Sequence, residues 1–162
     1  SQAMSPTSWK DTEGDIESVF TLDGFTPTPD NTGRTRAFAA DYQNRYGRSP
    51  AYAGGLTYDA LRIYQAAVED VVRSGDSDLP NNERLIDALE TFTFSDGVVY
   101  PEFEFTGPNA TRVHEPVWES MSETGVPVVK QWRATNGEGV MEAIAPEQHS
   151  TATYQHPPWF DQ

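Results

Sequence analysis

The amino-acid sequence predicts an α/β fold in which a few strands pack with amphipathic helices. Three observations support this prediction. Residues 15–25 are rich in β-branched and aromatic side chains, as in a mostly buried strand. Two stretches with helical periodicity follow, one ending at Gly47 and one over residues 49–73. Late in the chain, apolar runs at 126–132 and 140–144 flank a Gly-rich turn, which predicts a pair of strands.

The first predicted helix carries one aromatic stripe, because Phe38, Tyr42 and Tyr46 recur at a spacing of four. Gly47 follows the stripe directly, and glycine is the usual residue after a helix end. The Pro-containing segment before the helix predicts an extended loop, with Asn31 or Thr32 as the N-cap.

The second helix is predicted to begin at Ser49 and Pro50, an N-cap followed by proline at the first helical position. It ends near residues 74–75. Its wide apolar face needs a sheet or another helix to cover it. The residues expected on that face are Leu61, Tyr64, Val68 and Val71.

A shorter helix is predicted after the polar loop 76–82, with Asn82 as a possible cap and Leu85, Ile86 and Leu89 on its apolar side. Beyond it, apolar pairs between 92 and 105 alternate with turn signals, which predicts short strands or hairpins. The Pro-rich tail ending at residue 160 is expected to be non-helical.

The charge of the chain is strongly acidic and restricts its partners. The 162 residues include 25 Asp and Glu against 11 Lys and Arg, a formal net charge of -14. A nucleic acid is excluded as the expected partner, because phosphate binding needs a basic face. Lys10 and Lys130 are the only lysines. High negative charge is tolerated when salt screens the repulsion, so the composition indicates a salt-adapted protein.

Other classes of protein are disfavoured by what the sequence lacks. There are no cysteines, which excludes disulfides, thiol catalysis and zinc-thiolate sites. No run of about 18 apolar residues could span a membrane, and no basic-then-apolar signal sequence opens the chain. Residues 1–4 are interpreted as a cloning remnant before a start Met and are left out of the fold prediction.

No catalytic residue, metal ligand or cofactor site is predicted. The histidines His114, His149 and His156 lack the spacing of a metal pair and are expected to pack in loops or lie at the surface. The carboxylate pairs Asp76/Asp78 and Glu102/Glu104 are expected in so acidic a chain, and the pattern of a calcium loop is missing. Neither a phosphate-binding glycine loop nor a nucleophile elbow occurs.

Several segments, taken in order, resemble the type I periplasmic solute-binding proteins that serve uptake systems for branched-chain amino acids, amides and urea. The similar stretches are 38–50, 57–61 with Ala66 and Ala67, 85–89, the glycine-marked hairpin 95–105, 128–132 and the Pro-rich tail. The resemblance covers the chain from about Asp15 onward and only the final portion of such a receptor.

The resemblance implies a partial three-layer α/β/α fold, a C-terminal fragment that contributes to both lobes of a two-lobed receptor. About 5–48 and 126–162 would belong to the second lobe and about 49–125 to the first. Such a receptor captures a small polar solute such as an amino acid outside the cell and delivers it to an ABC permease. The chain would lack most of the cleft, so we expect weak binding of free amino acids and self-association, either as a homodimer or by domain swapping.

Tyr58 and Trp9 are the candidate ligand-binding residues, with aromatic and hydroxyl contact as their role. Packing in the core or between lobes is the alternative role for these rings. A ligand-sensing or regulatory domain of the same fold is the alternative function, because one fold hosts many functions. A secreted hydrolase is a third hypothesis, which a shifted carboxylate beside a histidine in a pocket would support.

Overall fold

A computed structural model describes residues 5, 7–27, 31–74, 81–117 and 127–160. A short 3-10 helix, Glu147–His149, follows the last strand. In chain order the other elements are α1 (Ser8–Asp11), β1 (Phe20–Asp23), α2 (Thr35–Tyr46), α3 (Tyr52–Arg73), α4 (Asn82–Thr91), β2 (Val128–Thr135) and β3 (Glu138–Ala145). Helices and a small sheet confirm the predicted α/β class.

The sheet has three antiparallel strands in the order β1-β2-β3. β2 and β3 form the predicted hairpin, and both residues of its turn, Asn136 and Gly137, have positive φ. This is the backbone that a tight hairpin turn requires. β1 pairs with β2 from far along the chain, with Phe20 opposite Gln131.

The prediction of a buried strand over residues 15–25 is only partly correct. Ser18 has a φ of 71°, so the backbone turns before the strand begins at Phe20. Within β1, Thr21 and Asp23 are buried, whereas Phe20 and Leu22 are exposed. Alternate residues of a strand point to opposite faces, and only one face of β1 is covered by described residues.

One buried ion pair lies on the covered face of the sheet. The Lys130 ammonium on β2 donates to Asp23 Oδ2 on β1, and both residues are at most 3% exposed. Asp23 Oδ1 accepts a hydrogen bond from the Phe25 backbone N–H at 3.1 Å. The pair therefore links two strands and the start of the loop that follows β1.

α2 ends as predicted, because Gly47 adopts a φ of 69° and its N–H donates to the Gln43 carbonyl at 2.8 Å. The predicted N-cap was wrong: Arg34 holds that position, and the Thr32 hydroxyl accepts from the Arg34 N–H instead. α4 is capped one residue earlier than predicted, by Asn81, whose side chain accepts from the Arg84 N–H at 3.0 Å.

α3 begins at Tyr52 with Ala51 as its N-cap, so the predicted start, with Ser49 as N-cap and Pro50 as first residue, was two residues too early. Its predicted buried face was half correct: Val71 is buried and Val68 packs against the α3–α4 cluster. Leu61 and Tyr64, in contrast, are 65% and 53% exposed. The residues that α3 buries recur every four positions: Gly55, Asp59, Ile63, Ala67 and Val71. Because this row contains small residues and one carboxylate, a search for large apolar side chains at helical spacing does not identify it as the buried face.

Two clusters of buried apolar residues stabilise the packing of the helices. Ala67 and Val71 of α3 pack against Leu85 and Ala88 of α4. The second cluster joins the loop after β1 to the loop after α4, and its buried members are Phe25, Val98 and Val99. After α4 the predicted short strands are reduced to two isolated bridges, Phe94 with Phe103 and Phe105 with Pro116.

Among the described residues, none of the helices combines the length and the hydropathy needed to cross a bilayer. The division into a second lobe, 5–48 with 126–162, and a first lobe, 49–125, stays a prediction. The loop that was expected at 76–82 lies largely outside the described residues.

A candidate solute cleft between two helices

A cleft of about 740 Å³ lies between α2 and the first half of α3. Its walls combine aromatic rings with charged groups of both signs, the composition expected of a small-molecule site. The residues that line it include Arg34, Phe38, Asp41, Tyr42, Arg45, Tyr46, Thr57, Tyr58, Leu61 and Val98.

The rings form a continuous row along the cleft. Ring centroids are 4.6 Å apart for Tyr46 and Tyr42, and 6.1 Å apart for Tyr42 and Phe38. Phe38 then meets Tyr58 of α3 at 4.8 Å and Phe25 of the core at 5.9 Å. The spacing of four places three rings on one side of α2. Contact with Phe25 fixes the inner end of the row to the core.

Charged groups lie along the same side of α2. Asp41 and Arg45 are exposed and one helical turn apart, and the Arg45 guanidinium lies 5.6 Å from the centroid of the Tyr46 ring. At the other end of the cleft, Arg34 forms an ion pair with Asp96. The cleft can therefore meet an ammonium and a carboxylate on one ligand.

Asp59 of α3 anchors the loop that contributes Val98 to the cleft. Its two carboxylate oxygens accept hydrogen bonds from the backbone N–H groups of Val98 and Val99, each at 2.8 Å. Burial raises the pKa of this carboxyl above its ordinary value, while the hydrogen bonds from the backbone and the charge of Arg34 oppose that rise. Tyr100 follows in the same loop, and burial together with the nearby Asp59 charge raises the pKa of its phenol.

α2 holds the same loop from the opposite side. The Thr35 hydroxyl, fully buried, donates to the Val98 carbonyl at 2.8 Å. Gly97 allows the close approach, because a Cβ there would lie 2.9 Å from Asp59 Oδ2 and nearer still to the Tyr100 carbonyl oxygen. Two helices and one glycine thus fix Val98, which lines the cleft.

The two predicted ligand contacts lie apart. Tyr58 lines the cleft and packs on Phe38. Trp9 lies in α1, where its ring centroid is 5.9 Å from that of Trp132 and its indole packs over Gly139. Trp9 is not among the residues that line the cleft. A ligand contact by either residue stays a prediction.

The remaining chemical candidates are distributed over the surface. His114 contacts Glu90, and Glu104 accepts from the Thr93 hydroxyl at 2.6 Å. Asp76 and Asp78 lie outside the described residues. Within the described ranges, no three His, Asp or Glu side chains come close enough to hold a metal ion.

Sequence reasoning missed the anchoring role of Asp59. It appeared only as part of the segment 57–61, among residues used for the resemblance. A usable signal was present, because Asp59 stands in the row Gly55, Ile63, Ala67 and Val71 at exact spacings of four. A carboxylate in a buried row requires hydrogen-bond donors, and backbone N–H groups can supply them.

Comparison with known proteins agrees with this architecture. The family described as periplasmic binding protein matches residues 1–119. No curated protein sequence matches the chain significantly.

Three solved structures share the fold. One, from Silicibacter pomeroyi, is described as a branched-chain amino acid ABC transporter; it is 25% identical, with a TM-score of 0.62. A leucine binding protein from Thermotoga maritima is 20% identical, with a TM-score of 0.54. A leucine-, isoleucine-, valine-, threonine- and alanine-binding protein from Brucella ovis, in a closed conformation, is 17% identical, with a TM-score of 0.59.

These matches cover 98%, 87% and 94% of this chain, in the same order. The chain spans 39%, 34% and 39% of the respective solved chains. They confirm the predicted type I-like fold in partial form. Since the match to the family extends over more than half of the sequence, the chain belongs to the periplasmic binding protein family.

Proposed function

We propose that the chain is part of the solute-binding component of an ABC transporter, acting on the outer side of the cell membrane. The observation that carries this proposal is the cleft between α2 and α3, with aromatic walls and charges of both signs. Family membership and the similarity to a protein described as a branched-chain amino acid ABC transporter support it.

The proposed solute is an amino acid with an apolar side chain. Its ammonium would pair with Asp41 and its carboxylate with Arg45, two exposed charges on one side of α2. Its side chain would contact the Tyr42 and Tyr58 rings. A zwitterion fits this pairing better than a simple anion or cation, because both charges of the cleft are then used.

We also propose that the protein delivers its solute to an ABC permease and that it comes from a salt-adapted organism. The chain carries a net charge of -14 and spans about two-fifths of the related solved chains. With part of a binding site, fewer polar groups can pair with the ligand, so we expect dissociation constants of about 1 mM. Self-association is supported by the exposed apolar residues Phe20, Leu22 and Leu61.

A titration of the ¹⁵N-labelled chain with L-leucine in molar KCl, followed by NMR, tests the proposal. We expect saturable shifts of amides in α2 and the first half of α3. Tyr58→Ala should weaken binding at least threefold by removing a ring contact. Asp41→Asn changes an exposed side chain without changing its shape and should weaken binding similarly.

Tyr154→Ala is the matched control, since Tyr154 lies in the tail, where its ring centroid is 5.1 Å from that of His156. This variant should bind leucine as the parent chain does. Shifts confined to other parts of the chain, or equal binding by all three variants, would contradict the placement of the solute. Equal affinity for leucine and urea would contradict the amino-acid assignment.

A further inference from the structure

A second recess, of about 220 Å³, lies between the sheet and the connection from α2 to α3. Its walls are mainly apolar, formed by Phe25, Tyr52, Trp132 and Met141 among others. It differs from the solute cleft, which lies on the α2–α3 side of the same connection.

The recess contains a buried cation. Lys130 is 3% exposed, lines the recess and donates to Asp23 Oδ2. An ammonium has three N–H donors. The two other donors of Lys130 have no acceptor in the part of the chain that the structure describes. A buried donor without a partner is costly, so this site favours a ligand that brings an acceptor.

The charge balance selects the kind of acceptor. Asp23 already neutralises Lys130, and Asp23 Oδ1 is occupied by the Phe25 N–H. A carboxylate in the recess would add an uncompensated buried charge, which is unfavourable. A neutral carbonyl oxygen can accept a charge-assisted hydrogen bond without that cost.

The Thr26 side chain supplies a second polar contact. Thr26 is 1% exposed and lines the recess directly after Phe25. Its hydroxyl can donate to the same carbonyl oxygen. The remaining wall surface is suited to an aliphatic or aromatic ring.

We propose that this recess binds a small neutral organic molecule with a carbonyl oxygen on an apolar ring or chain. The oxygen accepts from Lys130 and Thr26, and the apolar body contacts the Trp132 and Tyr52 rings. The inference goes beyond the proposed solute, which is a zwitterion in the other cleft.

Cyclohexanone, cyclohexanecarboxylate and cyclohexylammonium form a probe set with one ring and different head groups. Each is titrated into the ¹⁵N-labelled chain, and NMR measures both affinity and the amides that shift. We expect cyclohexanone to bind at least tenfold more tightly than the two ions, with shifts at Thr26, Lys130 and Trp132. Thr26→Val keeps the shape, removes the hydroxyl and should weaken cyclohexanone binding about tenfold.

Thr21→Val is the matched control, because Thr21 is also buried in this region but does not line the recess. It should bind cyclohexanone as the parent chain does. Carboxylate binding as tight as ketone binding would overturn the proposal, as would unchanged ketone affinity in Thr26→Val. Absence of saturable shifts at cyclohexanone concentrations up to about 50 mM would equally overturn the proposal.

Discussion

Asp23 in the sheet region and Asp59 in the helical region are both buried carboxylates, but they are stabilised differently. In the sheet, Asp23 is 2% exposed and is paired with the Lys130 ammonium. In α3, Asp59 is 5% exposed and is held by the backbone N–H groups of Val98 and Val99. The charge of Asp23 is therefore compensated by another side chain, whereas Asp59 is stabilised by backbone groups whose positions depend on the path of the loop.

This difference determines which substitutions each region tolerates. The buried ion pair can be replaced as a unit, provided that the residue at position 23 still accepts from the Phe25 N–H. A carboxylate bound to backbone N–H groups cannot be compensated in this way, since those N–H groups remain when the side chain is changed. The sheet should therefore accept a paired change, and the helical region should not.

The largest effect is expected for Lys130→Met, which leaves Asp23 buried without its cation. We expect a loss of about 3–5 kcal/mol in the free energy of unfolding, measured by urea denaturation in molar KCl. Adding Asp23→Asn removes the unpaired charge and keeps an acceptor for the Phe25 N–H. The double variant should recover at least half of the loss. Equal instability of the single and double variants would contradict the pairing argument.

Asp59→Ala should be the next most destabilising change. It leaves two buried N–H groups without acceptors, which costs about 2–4 kcal/mol at about 1–2 kcal/mol each. The same denaturation experiment measures it. Asp70→Ala is the matched control on α3, because its side chain is 60% exposed and lies 4.0 Å from the Arg73 guanidinium. That control should change stability by at most about 0.5 kcal/mol. A small effect of Asp59→Ala would show that the loop is held by other contacts.

Gly97→Ala tests the backbone path on which the Asp59 anchor depends. Its Cβ would be forced against Asp59 Oδ2 and the Tyr100 carbonyl. We expect a loss of about 1–3 kcal/mol in the free energy of unfolding. Gly107 has open space where a Cβ would lie, so Gly107→Ala should be nearly neutral. Similar losses in both glycine variants would indicate that crowding at residue 97 is not the cause.

Much of the fold could be predicted from the sequence where one local signal decided the structure. Gly47 ends α2, and Asn136 with Gly137 forms the β2–β3 turn, because each supplies a backbone conformation that few residues adopt. The pairing of β1 with β2 could not be predicted, since it joins Phe20 to Gln131 across most of the chain.

The candidate site was predicted only in part. The aromatic stripe and Tyr58 were identified from their spacing and from the resemblance, and both line the cleft. The Asp59 anchor was missed because the row of residues at spacings of four in which Asp59 stands was not recognised as buried. Its partners, the backbone N–H groups beside Gly97, could not be identified from the sequence. Leu61 and Tyr64 were wrongly assigned to the buried face of α3 because large apolar residues were given more weight than small ones.

The smallest expected effect is the change of melting temperature with salt, which acts on exposed carboxylates and leaves the buried ones nearly unaffected. At a net charge of -14, exposed carboxylates repel one another, and added KCl shortens the screening length from about 10 Å at 0.1 M to about 3 Å at 1 M. We expect the melting temperature to rise by several degrees over that range. The rise should be the same in the Asp23→Asn/Lys130→Met variant, because the buried pair is little screened. A melting temperature independent of salt would contradict the salt-adapted proposal.

We propose that the solute binds in the cleft between α2 and α3, and that Asp59, not the sheet pair, positions the loop that contributes Val98 to this cleft. The leucine titration on Asp59→Asn and on the Asp23→Asn/Lys130→Met variant tests it most directly. We predict a dissociation constant at least threefold higher for Asp59→Asn, because the amide cannot accept from both Val98 and Val99, and an unchanged constant for the sheet variant. Weaker binding in the sheet variant with unchanged binding in Asp59→Asn would contradict the account.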